Sequence, residues 1–448
     1  MKCSMAAALV AASALTLVGQ PTSAAEIAYG KGINLGAIGT DNLALVEDPD
    51  EFTVVGRVAP FASMDIDFAN GSINALGLLD FLTFSDGERE DTLNPKLFLV
   101  GQNTLVPKRL FLDTSLAIQN VSDDPREVSA DDINTDEDLI PSYRVGIEPY
   151  LQFGIGQIAD GSIRYVFDRA LVPDNDQIGS IVNKAEFEIG NDPAENLLVW
   201  DIFSSTGQTV YDDGTGLQSS NAFLSLGYTV SEDWLLSVSG GAERNTVTLP
   251  DDLDAASRAS SEAALEEIND GEVVPIWDVI AKWRPSSRTT FTFGYGERAF
   301  GYRPSVEFER KLSRSKFTLE YVRDFVSTTQ QLSDPNLTGL GGVSPSGNDS
   351  SGLTAAGAGS LAIEDSLTAR LKIDGRRTSL SFEGLYAYRD RIESDATQEV
   401  AHLRATLSRN LNSRIELSVS AGHRLRIGEV DEQDYHENRI STNLKINL

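Results

Sequence analysis

The sequence is poor in the residues that build disulfides and metal centres. It has one cysteine, Cys3, and three histidines among 448 residues. Cys3 lies ahead of an apolar stretch at the very start of the chain, so removal of that region as an export signal would leave no thiol. A chain without thiols has neither disulfides nor thiolate–metal sites, and its stability must come from hydrogen bonding and packing.

Basic residues are also scarce. The chain has 37 Lys and Arg against 67 Asp and Glu, which gives a formal net charge of −30. Nucleic-acid binding calls for a basic surface. This composition therefore argues against DNA or RNA as a partner.

Long apolar runs are missing beyond the first 25 residues. There, Lys2 supplies a positive charge, Met5–Val18 is an uncharged stretch of mostly Ala, Leu and Val, and Ser23–Ala25 offers small residues for cleavage. This arrangement is typical of a secretory signal peptide, and the apolar stretch is too short for a membrane anchor. We expect residues 1–25 to be a cleaved signal peptide and residues 26–448 to form a single domain.

Strict alternation of apolar and polar residues runs through that domain. The last residues, 439–448, place Ile440, Leu444 and Ile446 on one parity and polar side chains on the other. Such alternation predicts a β-strand with one apolar and one polar face. The pattern recurs in segments of about ten residues separated by turns, which is the signature of a transmembrane β-barrel.

The connections between these segments alternate in length. Short ones lie at residues 69–72, 231–233 and 410–413, whereas long ones lie at Ser122–Pro141 and 326–363. Outer-membrane barrels have short periplasmic turns and longer extracellular loops. The sequence therefore predicts an all-β fold, a transmembrane antiparallel up-and-down β-barrel of about 20 strands, or 18, with long acidic extracellular loops.

Two further features accompany the predicted strands. Five aromatic residues lie on the apolar parity close to short turns, as a periplasmic aromatic girdle would require: Phe68, Tyr228, Trp234, Trp283 and Phe317. One long connection, Asp251–Asn269, is rich in Ala and Glu and predicts a short helix.

The polar parity collects charges of both signs. On the lipid face a charge would cost roughly 2–4 kcal/mol at the bilayer midplane, so charged residues are expected to face the lumen. The candidate lumen-lining residues are Arg57, Arg144, Glu148, Arg370, Lys372, Arg404, Glu416 and Arg439. Mixed charge suits the passage of a polar solute, but ion pairs that fill the lumen would produce the same pattern.

Catalytic motifs are not evident. His402, His423 and His436 lack an accompanying Gly-x-Ser-x-Gly motif or a His pair at metal-ligand spacing. We therefore predict a protein that is not an enzyme and has no cofactor and no metal site.

One loop concentrates negative charge. The acidic residues between Ser122 and Pro141 are Asp123, Asp124, Glu127, Asp131, Asp132, Asp136, Glu137 and Asp138. Three roles are open: they bind divalent cations beside lipopolysaccharide, they repel anions from the mouth of the barrel, or they are simply solvated.

Several stretches resemble a known group of proteins. They are Lys108–Leu116, Trp283–Thr290, Tyr295–Gly301, Phe308–Ser315 and Tyr321–Gln331. From Arg57 onward the chain resembles the outer-membrane β-barrels encoded with exosortase and PEP-CTERM exopolysaccharide systems, which are related to the β-barrel porin type 2 group. The shared residues are strand and turn signatures, so the resemblance implies a location and a fold but transfers no functional residue.

These observations lead to one expectation and one alternative. We expect a barrel in the bacterial outer membrane that passes a polar solute, and the resemblance implies a link to exopolysaccharide export. Its expected partners are outer-membrane lipid and lipopolysaccharide, the barrel-assembly machinery, and exopolysaccharide or its export components. The alternative is a non-conducting structural or adhesive surface barrel whose acidic loops bind cations or matrix.

Overall fold

A computed structural model describes residues 25–47, 49, 52–87, 89–122, 133, 139–173, 179–191, 196–212, 214, 216–249, 271–327, 361–391, 397–428 and 434–448. The described residues fold into twenty β-strands. Among them, no helix is long and apolar enough to cross a membrane. The predicted signal peptide and the predicted helix at Asp251–Asn269 lie outside the described residues.

The strands, numbered in chain order, are β1 Glu26–Thr40, β2 Thr53–Phe68, β3 Gly71–Phe84, β4 Thr92–Val106, β5 Leu110–Ser122, β6 Leu139–Ile155, β7 Ala159–Leu171, β8 Ser180–Gly190, β9 Leu198–Tyr211, β10 Gly216–Ser231, β11 Trp234–Thr248, β12 Val274–Ser286, β13 Thr289–Arg298, β14 Gly301–Lys311, β15 Ser315–Ser327, β16 Leu361–Asp374, β17 Thr378–Arg391, β18 Thr397–Asn410, β19 Ile415–Gly428 and β20 Tyr435–Asn447.

These strands close into one antiparallel barrel. Each strand pairs with the next along the chain, and the last strand returns to the first, with Gly32 opposite Asn447 and Thr40 opposite Arg439. Closure leaves no sheet edge, because every strand has two neighbours. The predicted fold class and the count of twenty strands are confirmed.

The two ends of the barrel differ in their connections. At one end, which we call the turn end, lie both ends of the described sheet and short connections such as residues 232–233, 287–288 and 375–377. At the other, the loop end, lie residues 123–138, 249–273 and 328–360. The predicted alternation of short and long connections is confirmed, although the strands extend further into the long loops than the sequence suggested.

One connection at the loop end is as short as the turns at the opposite end. Strand β13 ends at Arg298 and β14 begins at Gly301, so two residues join them. Gly301 has a φ of 98°, a conformation that side chains with a Cβ rarely adopt. The connection therefore extends the barrel wall by only two residues beyond the ends of β13 and β14.

Register separates the two faces of the sheet. Leu417 is opposite Leu444, and Ser418 is opposite Asn443, so apolar and polar residues occupy different faces across neighbouring strands. The face that includes Asp80 and Leu82, both fully shielded from solvent, is the inner face. The outer face is apolar and exposed, as at Leu403, which is 59% exposed.

Aromatic side chains form a continuous row on the outer face near the turn end. Ring centroids are 5.5 Å apart for Trp234 and Trp283, 5.3 Å for Trp283 and Phe291, 4.5 Å for Phe291 and Phe308, and 5.6 Å for Phe308 and Phe317. The row spans strands β11 to β15. It contains three of the five aromatic residues that the sequence placed close to short turns.

Candidate functional site: the inner wall of the barrel

The predicted lumen-lining residues all lie on the inner face. Residues that are directly opposite each other on neighbouring strands lie on the same face of the sheet. Arg144 is opposite Ala117, Arg370 is opposite Glu383, and Arg404 is opposite Gly422. Their contact with a solute stays a prediction. Four of them take part in ion pairs along the described wall: Arg57, Arg144, Glu148 and Arg439.

Ion pairs between neighbouring strands form a discontinuous ring on the inner face close to the loop end. We call this the ion-pair ring, and its members are Arg57–Asp80, Arg144–Asp168, Arg298–Asp278, Arg303–Asp324, Arg389–Glu364 and Arg424–Glu437. The distance of 2.7 Å from Arg144 Nη2 to Asp168 Oδ2 is normal for a charge-assisted hydrogen bond. These arginines therefore tie strands together.

The carboxylate of Glu437 contacts side chains of three strands. Its Oε1 accepts hydrogen bonds from Arg439 Nη2 at 2.7 Å and from Thr40 Oγ1 at 2.8 Å. Arg424 Nη1 lies 3.6 Å from Oε2. The side chain of Glu437 is only 1% exposed. Glu437 thus joins β19, β20 and β1 where the barrel closes.

An apolar cluster narrows the interior at the loop end. Ile133 belongs to the connection between β5 and β6, yet it is 2% exposed and packs with Ile38, Leu43, Val55 and Leu82 on the inner wall of β1 to β3. Its carbonyl oxygen accepts a hydrogen bond of 3.3 Å from Arg89 Nη1. A part of this connection therefore lies inside the barrel mouth. The eight acidic residues that the sequence analysis singled out there lie outside the described residues.

Exposure of the inner wall increases towards the turn end. Near the loop end, inward-facing polar side chains such as Asn94 and Ser180 are buried. Near the turn end, inward-facing Asp65, Glu188 and Arg284 are exposed. Inward-facing polar side chains are thus more shielded from solvent near the loop end than near the turn end.

Sequence reasoning missed several residues of the ion-pair ring, including Asp80, Asp168, Glu364, Arg389, Arg424 and Glu437. All of them lie within a few residues of a strand end at the loop end. The alternation of side chains along each strand would have identified them. For example, Arg424 lies on the same face of β19 as Ser418 and Ser420.

Neither a metal site nor a catalytic His arrangement stands out. Within the described segments, no group of three His, Cys, Asp or Glu side chains is placed to hold a metal ion. His402 lies on the inner face opposite Leu385 and Arg424. His423 lies on the outer face, where its Nδ1 is 2.9 Å from Asn438 Oδ1.

Comparison with known proteins was made by sequence and by structure. No protein-family model matches the chain. No curated protein matches it either. The solved structures that are similar to it include OccK7 (OpdD) of Pseudomonas aeruginosa, with 11% identity over 94% of this chain and 99% of that one and a TM-score of 0.40.

Two further solved structures illustrate the range of this similarity. The outer membrane protein OpdK of Pseudomonas aeruginosa has 10% identity over 94% of this chain and 99% of that one, with a TM-score of 0.41. The FrpB iron transporter of Neisseria meningitidis has 8% identity over 96% and 82%, with a TM-score of 0.46. At these identities and TM-scores the similarity assigns neither a family nor a solute to this chain.

The burial of the ion-pair ring leads to a stability prediction. We expect Asp80→Asn to lower the free energy of unfolding by about 3 kcal/mol, because it removes the charge of a fully buried carboxylate that pairs with Arg57 and lies 3.9 Å from Lys96. Asp324→Asn makes the same change in a pair whose carboxylate is 46% exposed, and we expect a loss below about 1 kcal/mol. Urea-induced unfolding of the refolded variants measures both values. Equal losses would contradict the structural role of burial.

Proposed function

We propose that this chain is an outer-membrane β-barrel that passes a polar solute through its lumen. The observation that carries the proposal is the separation of an apolar outer face from a charged inner wall around one closed sheet. Closed barrels satisfy all backbone hydrogen bonds between strands, which is what a hydrocarbon environment requires. An apolar outer face exposed to water would instead favour aggregation.

The height of the apolar outer band supports insertion into a bilayer. On β18, the outer face carries Ala401, Leu403, Ala405 and Leu407 between two charged residues, Glu399 and Arg409. Glu399 and Arg409 are ten residues apart, which corresponds to about 33 Å along a strand. For a strand tilted by about 40° from the barrel axis, this is a height of about 25 Å. A band of about 25 Å is what transmembrane barrels present to lipid.

A second group of aromatic side chains supports the same placement. Trp277 and Tyr295 have ring centroids 5.9 Å apart, and those of Tyr295 and Tyr302 are 5.8 Å apart. These residues lie on the outer face nearer the loop end than the Trp234–Phe317 row. Aromatic girdles at both boundaries of the apolar band are characteristic of membrane barrels. By the lengths of the connections, the turn end would face the periplasm.

The inner wall supports passage of a solute that is polar. Buried apolar groups on the inner face are confined to small clusters, such as Ala59, Phe61, Leu76 and Leu78, and Leu385, Ala387 and Val400. A barrel of this width holds an aqueous or plugged lumen rather than a packed core. Charged residues exposed near the turn end would keep that region hydrated.

The solute and the partners form a finer part of the proposal. The resemblance to barrels of PEP-CTERM systems supports a saccharide and a link to exopolysaccharide export. The partners would then be outer-membrane lipid and lipopolysaccharide, the barrel-assembly machinery, and exopolysaccharide or its export components. Export through a cleavable signal peptide would bring the chain to the outer membrane.

A non-conducting surface barrel is the second candidate. The observation that favours it is the burial of inner side chains at the loop end, where Ile133 packs inside the mouth. A mouth closed by its own connections would make the barrel a structural or adhesive protein.

Conductance separates the two candidates. We expect the refolded protein to form stable ion-conducting channels in planar bilayers, because its inner wall is charged and more exposed to solvent towards the turn end. A deletion strain with reduced exopolysaccharide export, restored by the wild-type gene, would distinguish a dedicated exporter from a general porin. Consistent absence of channels from correctly folded protein would support the structural alternative.

Orientation in the membrane leads to a labelling prediction. An epitope inserted at Asn348, between β15 and β16, should be labelled on intact cells, because long connections of such barrels face outward. The same epitope at Asn412, in the turn between β18 and β19, should be labelled only after permeabilisation. The reverse pattern would mean that the barrel has the opposite orientation.

The two faces of β19 provide a matched pair of substitutions. We expect Leu417→Arg to reduce folding into lipid vesicles strongly, because it places a charge in hydrocarbon at a cost of about 2–4 kcal/mol at the midplane. Ser418→Arg places the same charge on the inner face and should fold almost as the wild type does. Folding is measured by the electrophoretic shift of unheated samples, and equal yields would refute the assigned faces.

A further inference from the structure

Arg404 is one of the inner-face arginines that form no ion pair within the part of the chain that the structure describes; Arg370, whose Nε is buried without a hydrogen-bond partner, is another. Arg404 on β18 is half-buried, and no carboxylate oxygen of a described residue lies within 4.0 Å of its guanidinium. Glu383 and Glu437 attract Arg404 from farther away, and Arg424 repels it. A partly desolvated guanidinium without a close counter-charge is costly, so this position favours an anion that arrives from the lumen.

Space beside Arg404 is provided by Gly422. This glycine lies opposite Arg404 on one side and opposite Arg439 on the other, so the two arginines flank a position that has no side chain. A Cβ built at Gly422 would meet its nearest atom, the carbonyl oxygen of Leu403, at 3.4 Å. The next atom, His402 Nε2, lies at 3.9 Å, so a methyl group would fit here in ordinary van der Waals contact. Hydrogen bonds to Glu437 hold Arg439 on the other side of this position, which we call the Gly422 gap.

Hydroxyl groups continue the wall from this gap towards the turn end. Thr406 is opposite Ser420, and Ser420 is opposite Ser441. In the next inner row Ser408 is opposite Ser418. We call these five residues the hydroxyl strip. Each hydroxyl can both donate and accept a hydrogen bond, which matches the needs of a polyhydroxylated solute.

The opposite wall has the opposite charge. Strands β8 and β9 lie halfway around the twenty-stranded ring from β18, and their inner face carries Glu186, Glu188 and Asp201. Lys184 lies 2.7 Å from Glu186, which offsets part of that charge. An anion in the lumen would therefore be drawn towards Arg404 and away from β8 and β9.

We infer that Arg404, the Gly422 gap and the hydroxyl strip form a binding site for a carboxylate-bearing polyol, the chemistry of a sugar acid. The planar guanidinium offers a fork of donors that matches a carboxylate, while the strip offers partners for the hydroxyl groups. The inference rests on the proposed passage of a polar solute and narrows that solute to an anionic, hydroxyl-rich class.

The test measures current blockade by potassium gluconate, with sorbitol as the neutral polyol, in planar bilayers that hold the full mature barrel. We expect gluconate to block transiently and sorbitol not to block. Arg404→Gln should weaken gluconate binding about tenfold, the loss of one charge-assisted pair of about 1.4 kcal/mol. Arg376→Gln, which removes the same charge from an exposed turn at residues 375–377, should leave binding unchanged.

A second pair of variants covers a failure of Arg404→Gln to fold. Gly422→Asp places a carboxylate beside Arg404 and should abolish gluconate blockade, whereas Gly422→Ala adds volume without charge and should retain most of it. Blockade that is insensitive to both Arg404→Gln and Gly422→Asp, in channels of normal conductance, would overturn this site but leave the proposed function standing. No conductance from folded protein would overturn the proposed function and this inference together.

Discussion

Pairing between the first and last strands is the constraint on which the rest of this structure depends. The pairing of β1 with β20 joins residues about 400 positions apart, from Gly32 opposite Asn447 to Thr40 opposite Arg439, and converts a meander of hairpins into a closed surface. Without this closure, two long strands would expose unpaired backbone groups, which is costly in lipid and invites aggregation in water. Glu437, whose carboxylate contacts side chains of β1 and β19, lies at this seam.

Closure gives each strand two different environments. Side chains alternate strictly between the faces, so a single register shift would move every apolar side chain of a strand inward and every charged one outward. The cost of charges in hydrocarbon therefore specifies the register of each strand without a conventional core. The apolar surface that a soluble protein would bury remains on the outside here, as at Leu403 and Ile440.

The inner wall divides its charged residues between two tasks. Arginines near the loop end, such as Arg57 and Arg144, form ion pairs with acids on the next strand and so stabilise that end of the barrel. Arg404 lies farther towards the middle of its strand, beside a glycine and a series of hydroxyl groups. The first group explains how the wall is held together, and the second offers a surface on which a solute could be bound.

The sequence by itself predicted the fold class, a count of about 20 strands or 18, and a face for each candidate residue, because all three follow from a local period of two and from turn chemistry. It could not decide which inner charges pair. Arg57 and Arg404 both lie on the inner face and carry the same guanidinium group. Of the two, only Arg57 has a carboxylate on the neighbouring strand at contact distance. The position of Ile133 within the mouth was equally out of reach, because nothing local to its acidic connection indicates burial. Both depend on the register between strands and on the path of a long connection, which only the closed barrel decides.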